Sequence, residues 1–382
     1  MGLFSRPKNK AVTVTKYKMI VDNGGGFYSW NGNLYKSDIV RAAIRPKARA
    51  IGKAVAKHIR QGPDGTKVNP DVYMRFLLEE PNPYMTGQQL QEKLITQLEL
   101  NNNAFAFINR DENGYPTEIY PITAVSTEAL QDDSGTLYLR FNLRTGRTVT
   151  FRYTDVIHLR KDFNENEIFG DSPAQALAPL MEIVNTTDQG IVKAIKNSNV
   201  IRWLLKFNQT LRPEDIKKNT KEFVDSFMNT ETSESVGAAA TDAKADATQV
   251  EPKDYVPNEK QMDVTSKRIL SFFNTNEKII MGDYTEDQWI SYYESACEPD
   301  IVQLSGEYTR KLFSRRERGF GNKIIFESSN LTFASMQTKL KLVELVDRGI
   351  FNPNEVREVF NKSPREGGDE YIRRLDTRPT TE

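Results

Sequence analysis

The chain is short of the residues from which catalytic sites are usually made. Its 382 residues include one cysteine, Cys297, and two histidines, His58 and His158. A single thiol excludes an intrachain disulfide and any multi-cysteine metal site. No apolar run nears the roughly 18 residues of a membrane span, so no membrane is expected among the partners. The start, MGLFSRPKNK, has no apolar signal core, and Arg6 stands where an N-myristoylation motif needs Ser or Thr. Net charge is absent too, with 52 Lys and Arg against 52 Asp and Glu.

Individual candidates for chemistry fail one by one. His158 lies in a strand-like stretch, TDVIHLR, and reads as a core or interface histidine. Cys297 sits on a helical pattern with no histidine nearby and reads as an inert buried thiol. Gly24-Gly25-Gly26 runs into Phe-Tyr-Ser-Trp without the Lys-Ser/Thr of a phosphate loop. Glu79-Glu80 and Asp132-Asp133 are turn residues. The sequence therefore proposes no catalytic residue, no metal and no cofactor.

What is present is polar surface. The hydrophobic fraction is 38% and the charged fraction 27%, with a mean hydropathy of -0.59. Such a chain suits an elongated molecule, or one with much surface for partners. The zero net charge hides a dipole. Residues 1–60 hold 13 Lys and Arg against 2 Asp and Glu, a surplus of +11 that the remainder offsets. The two ends are thus expected to meet different surfaces, such as those of neighbouring copies.

The spacing predicts an α+β chain. Residues 38–60 carry a helical stripe of Val40, Ala43, Ala50, Val55 and Ile59, which Pro46 kinks or divides. A helix stops at Pro81-Asn82-Pro83. A second, capped by Thr86, ends in Asn101-Asn102-Asn103. Strands follow in AFAFINRD, TEIYPITAVSTEAL, TLYLRFNL and TVTFRYTDVIHLR, with turns at Asn113-Gly114, Gly135 and Thr145-Gly146. From Asp171 or Ser172 a helix of about 25 residues begins, expected to bend at Pro179 and Gly190. VIRWLLKF reads as a strand and the stretch from Pro213 as a charged helix. Residues 229–257 read as an acidic linker or an exposed strand. A long helix after Asp283 should kink near Ser295, one turn before Pro299. NKIIFES is a short strand. SMQTKLKLVELVDRG is a helix ended by Gly349. A capped helix starts at Asn352-Pro353, and the tail is expected to be mobile. Between helices, the step Ile279-Ile280-Met281-Gly282 places large apolar residues on a loop.

Several phrases stand along the chain in a set order: MGLFSR, LLEEPNPYMTGQQL, ELNNNAFAFINRDENGYPTEIYPI, DVIHLR followed by FGDSPAQAL, and GIFNPNEVREVFNKSPREGGDEY. That order resembles the portal proteins of tailed bacteriophages, of the HK97-like branch. Where that family shows Gly-Asn-Ala, this chain has Asn102-Asn103-Ala104. The resemblance implies a wing of residues 1–171 and 287–330, stem helices at 172–199 and 258–275, and a clip of 200–257. It also implies a crown and tail of 331–382. The segment 276–286 would be a tunnel loop, with Lys278, Ile279, Ile280, Met281 and Gly282 facing a channel. On this reading the protein is structural and not an enzyme. Copies would form a ring, usually of twelve, around double-stranded DNA at a capsid vertex of the virion, assembled in the host cytoplasm. Terminase large subunit, head–tail adaptor, major capsid and scaffold proteins would be its partners. Other readings are a different virion structural protein or a nucleic-acid-acting enzyme.

Overall fold

The computed structural model describes residues 18–19, 27–29, 34–63, 65–164, 167–198, 202–207, 212–227, 245–250, 259–327, 342, 344–360 and 362–372. Gly24-Gly25-Gly26, and most of 229–257, lie outside these. The chain divides into two compact units: residues 1–177 with 266–382, and residues 178–265.

The first unit opens with β1 (Lys18–Met19), β2 (Phe27–Ser29) and helix α1 (Asp38–Gly52). Pro46 is accommodated inside α1. The helix then stops eight residues short of the expected end, because 55–62 is a strand, β3 (Val55–Gly62). The i, i+4 step from Val55 to Ile59 satisfies a helical period by coincidence. Pairing decides: β3 aligns with β4 (Gly65–Val68) and, antiparallel, with a strand more than 250 residues later, Asn322–Glu327. Val55 is consequently 49% exposed while Ile59 is buried.

Helix α2 (Val72–Glu79) is capped by Asp71, whose carboxylate accepts from the Tyr73 and Met74 N–H groups. Helix α3 (Gly87–Asn101) begins in a capping box between Thr86 and Gln89. It buries Leu90, Leu94, Ile95 and Leu98 almost completely. β5 (Asn103–Arg110) is the central strand of a three-stranded sheet, flanked by β10 (Val156–Arg160) and β6 (Pro116–Ile122). Its first six residues are all buried, so it is covered on both faces rather than on alternate ones. The stretch TEIYPITAVSTEAL is two strands, not one. It changes sheet at Thr123, whose hydroxyl accepts from Gln97 Nε2 at 2.9 Å. Pro121, which has no N–H, sits on β6, the edge strand. β7 (Ala124–Gln131), β8 (Leu137–Leu143) and β9 (Thr148–Arg152) form the second sheet with β1 and β2. Gly135 and Gly146 occupy its turns.

The two sheets enclose a core of Phe105, Phe107, Leu139, Phe141, Val156 and Phe169. Phe105 meets Phe141 edge-on at 5.2 Å, and Phe107 stacks on Phe151 at 4.0 Å.

Helix α4 (Ala174–Ser198) carries both Pro179 and Gly190 inside it, and the Ser172 hydroxyl accepts from the Ala174 N–H. The second unit contains the strands β11 (Arg202–Phe207) and β12 (Ala245–Val250), paired antiparallel, with helix α5 (Pro213–Phe227) between them in sequence. Of the two readings for 229–257, a strand thus holds for 245–250. Helix α6 (Glu259–Phe272) follows.

The expected long helix is three pieces in register: α8 (Glu286–Tyr292), a π-helical turn (Tyr293–Cys297) and α9 (Glu298–Leu312). The π turn is centred on Ser295, where the sequence placed the kink. The carbonyl of Ser295 would bond to the nitrogen of Pro299 in an α ladder, and that nitrogen has no hydrogen. The Ser295 hydroxyl instead donates to the Ser291 carbonyl at 2.7 Å. A short helix α10 (Arg315–Gly319) leads to β13 (Asn322–Glu327). Residues 344–347 are helical. Helix α11 (Pro353–Val359) begins in the expected capping box of Asn352 and Glu355. Within the tail, residues 365–369 differ from expectation. Asn354 bonds to Arg365 and Asp369 and holds 365–369 against the start of α11.

Candidate functional site

The step Ile279-Ile280-Met281-Gly282 is not an open loop. It is a single helical turn, α7 (Glu277–Met281), closed at both ends. The Asn276 side chain accepts from the Ile279 N–H at 3.2 Å. Gly282 adopts φ 76°, ψ 16°, and the Asp283 N–H bonds back to the Lys278 carbonyl at 2.9 Å. A left-handed residue at this place is what glycine supplies without steric cost. Asn274, φ 51°, makes the other sharp turn, after Phe273 has been buried.

The four apolar and cationic side chains of the turn separate by burial. Ile279 is 5% exposed, in a turn that packs against α1. Ile280 is half-buried and Lys278 is exposed. Met281 is 80% exposed. Beyond it Thr285 and Gln288 form a second capping box, and Tyr284 stacks on Trp289 at 5.1 Å. The segment is thus a rigid knuckle with one greasy anchor and one greasy tip. Of the five residues singled out by sequence, Ile279 serves the core, and among the three large apolar ones Met281 is the one offered to the outside.

Beneath the knuckle, α1, α3 and α9 share a buried charge cluster. Lys47 Nζ lies 2.7 Å from Glu99 Oε1 and 2.7 Å from Asp300 Oδ2, and Lys161 reaches Glu99 at 2.8 Å. Burial opposes the charge on Lys47, but Glu99 and then Asp300 outweigh it and hold its pKa above the usual lysine value. Burial likewise opposes charge on Glu99, and its two lysines outweigh that too, lowering its pKa. Burial wins at Asp300, which is shifted up. Cys297, buried beside this cluster, is pushed up to about 12 by burial and stays an inert thiol. Sequence reading missed the cluster, because its members lie on α1, α3, α9 and just past β10, up to 253 residues apart, and none stands in a motif.

A second polar knot joins phrases that the sequence showed only as separate. Asn102 ends α3 in a left-handed conformation, φ 53°, one that glycine adopts without steric cost. Its amide donates to Asp162 Oδ2 and to the Asp171 carbonyl, bonds that glycine could not make. Asn103 exchanges two bonds with Gly170: Nδ2 donates to the carbonyl at 2.8 Å and Oδ1 accepts from the N–H at 2.9 Å. That same Oδ1 lies 3.1 Å from His158 Nε2. Being an acceptor, it fixes the proton on Nε2, so Nδ1 accepts from the Tyr153 hydroxyl at 3.3 Å. Burial, then the charges of Arg160, Lys311 and Arg310, hold His158 well below its ordinary pKa. ELNNNAFAF, DVIHLR and FGDSP therefore meet in one place, and their task there is structural. Among the described residues no group of three or more His, Cys, Asp or Glu could hold a metal ion, and no helix is long and apolar enough to cross a membrane.

The fold has known counterparts. A chain from the neck of a native gene transfer agent particle, computed with C12 symmetry, is 16% identical with a TM-score of 0.62, covering 90% of this chain and 97% of that one. An HK97 family phage portal protein from Corynebacterium diphtheriae is 11% identical with a TM-score of 0.54, covering 81% and 98%. These likenesses define the class as a portal-type fold of mixed helix and sheet. Residues 38–361 match the model of the family described as phage portal protein, and the chain belongs to that family. Among individual proteins it is 26% identical over 249 residues to the "Probable portal protein" of Lactococcus phage p2 and equally to that of Lactococcus phage SK1. That match spans 63% of this chain and 65% of each relative.

Proposed function

We propose that the chain is the subunit of a ring-shaped channel at one capsid vertex, through which double-stranded DNA is packaged and later ejected. The observation that carries this is the family match over 38–361. The ring, of twelve copies, is supported by the likeness to a particle neck with twelvefold symmetry. Exposed apolar side chains support it further. Ile183 and Val192 on α4 are 46% and 49% exposed, and Val264 on α6 is 57% exposed. Neighbouring copies would cover such surface.

In this reading residues 1–171 and 287–330 are the wing, 172–199 and 258–275 the stem, 200–257 the clip and 331–382 the crown and tail. The clip docks the terminase large subunit and afterwards the head–tail adaptor, and the crown faces the capsid interior. Major capsid and scaffold proteins surround the ring, which assembles in the host cytoplasm and ends in the virion. The knuckle at 276–286 faces the channel. Met281 from every copy would form an apolar collar there. Such a collar touches duplex DNA by van der Waals contact without neutralising phosphates, so DNA slides rather than sticks. No catalysis and no cofactor are involved.

Electron microscopy of the purified protein, alone and with capsid and scaffold proteins, tests this. The expected image is a ring with a continuous channel wide enough for duplex DNA. A protein that stays monomeric at high concentration in both settings overturns the reading. A closed shell or a narrow plug would favour another virion component.

A further inference from the structure

The C-terminal end of α9 opens onto a cleft of about 950 Å³ with a strong excess of cationic side chains, among them Arg110, Arg310, Arg315, Arg316 and Arg318. Three carboxylates also line it, and all are occupied internally. Asp71 caps α2, Asp155 holds Arg110 at 2.9 Å, and Glu317 closes the capping box of α10 with Ser314. Arg310 is paired with Glu307 at 2.6 Å. Arg315, Arg316 and Arg318 are exposed and make no ion pair with another described residue. The cleft thus presents three uncompensated guanidinium groups.

Its rim is partly aromatic: Tyr115, 62% exposed, and the half-buried Tyr153 line the cleft. Arginine with exposed aromatic residues is the composition of a protein interface. Duplex DNA would use the arginines but offers stacked bases that such side chains cannot reach, so the aromatic rim favours a protein.

The complementary surface lies at the other end of α9. Asp283, Asp287, Glu294 and Glu298 are exposed, and none is paired with another described residue. The helix dipole accounts for Glu298 at the α9 N-terminus and for Arg310 in its last turn. The dipoles of α8 and α10 likewise suit Asp287 in a first turn and Arg316 and Arg318 in a last turn, but no helix end accounts for Asp283, before α8, or for Arg315, at the start of α10. The two patches are separated by α9, about 22 Å long at 1.5 Å per residue.

We infer that the arginine cleft of one copy receives the acidic 283–298 edge of the next copy. A patch at one end of a helix that binds a different patch at the other end makes a heterologous contact, which generates a closed ring when its rotation closes. This inference rests on the ring proposed above and names the contact that would build it.

Reciprocal charge reversal tests it. Arg315→Glu/Arg316→Glu/Arg318→Glu should lower the ring fraction by roughly tenfold or more, since like charges would face each other across the contact. Asp283→Lys/Asp287→Lys/Glu294→Lys should do the same. Mixing the two variants should restore rings of alternating subunits, because each mixed contact again joins opposite charges. Restoration also shows that both variants were folded. Rings that form normally from either variant alone, while the wild type forms rings, overturn the inference and leave the ring reading intact. So does failure of the mixture to restore them. Loss of duplex binding in a filter assay by the arginine variant, with assembly unchanged, would assign the cleft to DNA instead. A wild type that never assembles overturns the ring reading, and this contact with it.

Discussion

Gly170 shows how one residue can hold three segments together. A Cβ there would lie 2.2 Å from the Lys161 carbonyl and 2.4 Å from the Asn102 carbonyl, both backbone atoms that cannot swing aside. Gly170→Ala should therefore destabilise the first unit by about 2–3 kcal/mol, read as a lower denaturant midpoint. His158, in the same knot, carries a pH signature. Its folded pKa lies well below the ordinary value of 6.5, so below pH 6.5 the unfolded chain takes up the proton first. The stability due to this group is complete above pH 6.5 and is lost as pH falls toward the folded value, with a slope approaching about 1.4 kcal/mol per pH unit. Stability measured by urea unfolding between pH 7 and 5 should show that slope, and His158→Gln should flatten it whatever its effect at pH 7. At this scale the sequence was partly legible. Asn101 to Asn103 read correctly as the end of a helix, and His158 as a structural histidine. Their bonds to Gly170, Asp162 and Asp171 were not legible, because those partners stand about sixty residues away.

Elements were legible where a local signal closed them. Thr86, Asn352 and Pro353 marked helix starts that the capping hydrogen bonds reproduce. The failure at 55–62 has the opposite cause: β3 pairs with β13, far away in the sequence, where Ile325 stands opposite Lys57, and its one local signal is the Gly62-Pro63-Asp64-Gly65 phrase that leads to β4. α7 was hidden because five residues are too few to show a period. Its burial pattern nevertheless yields a sharp split. Ile279→Asp should cost about 3 kcal/mol or more, since it buries a carboxylate against α1. Ile280→Asp/Met281→Asp should leave the melting temperature within a few degrees of the wild type and rings intact, yet impair DNA packaging or retention. Thermal unfolding, ring counts on grids and packaged DNA per particle measure the three quantities. If the double variant also loses soluble protein, the tip belongs to the core and not to a channel.

At the scale of the molecule, the charge dipole changes meaning. Part of the basic surplus in residues 1–60 is taken up by ion pairs within the subunit: Lys47 in the buried cluster with Glu99 and Asp300, and Lys57 in a surface pair with Glu327 at 3.1 Å. The division of the chain near 177 and 266 could be read only through family phrases, since α4 and α6 cross it without a break in their helical pattern. In the second unit α5 exposes Lys217, Lys218 and Lys221. If this unit docks the packaging motor, reversing these three lysines to glutamate should weaken binding of the terminase large subunit by roughly tenfold. Ring assembly should be unaffected. Equal binding by variant and wild type in a pull-down titration would place the docking surface elsewhere.

The π turn at Tyr293–Cys297 holds one residue more than an α-helical path would need. Deleting Ser295 would let the backbone run as one α-helix from α8 into α9, and because a π turn and an α turn each close about one revolution, the flanks would keep nearly their present bearing. A deletion within the regular turns of α9 has no such slack and would rewind everything upstream by about 100° and draw it in by about 1.5 Å, taking Ile279 off its seat on α1. The π turn is thus a slack link, a place where the helix can lose one codon without re-aiming the apolar tip of the knuckle.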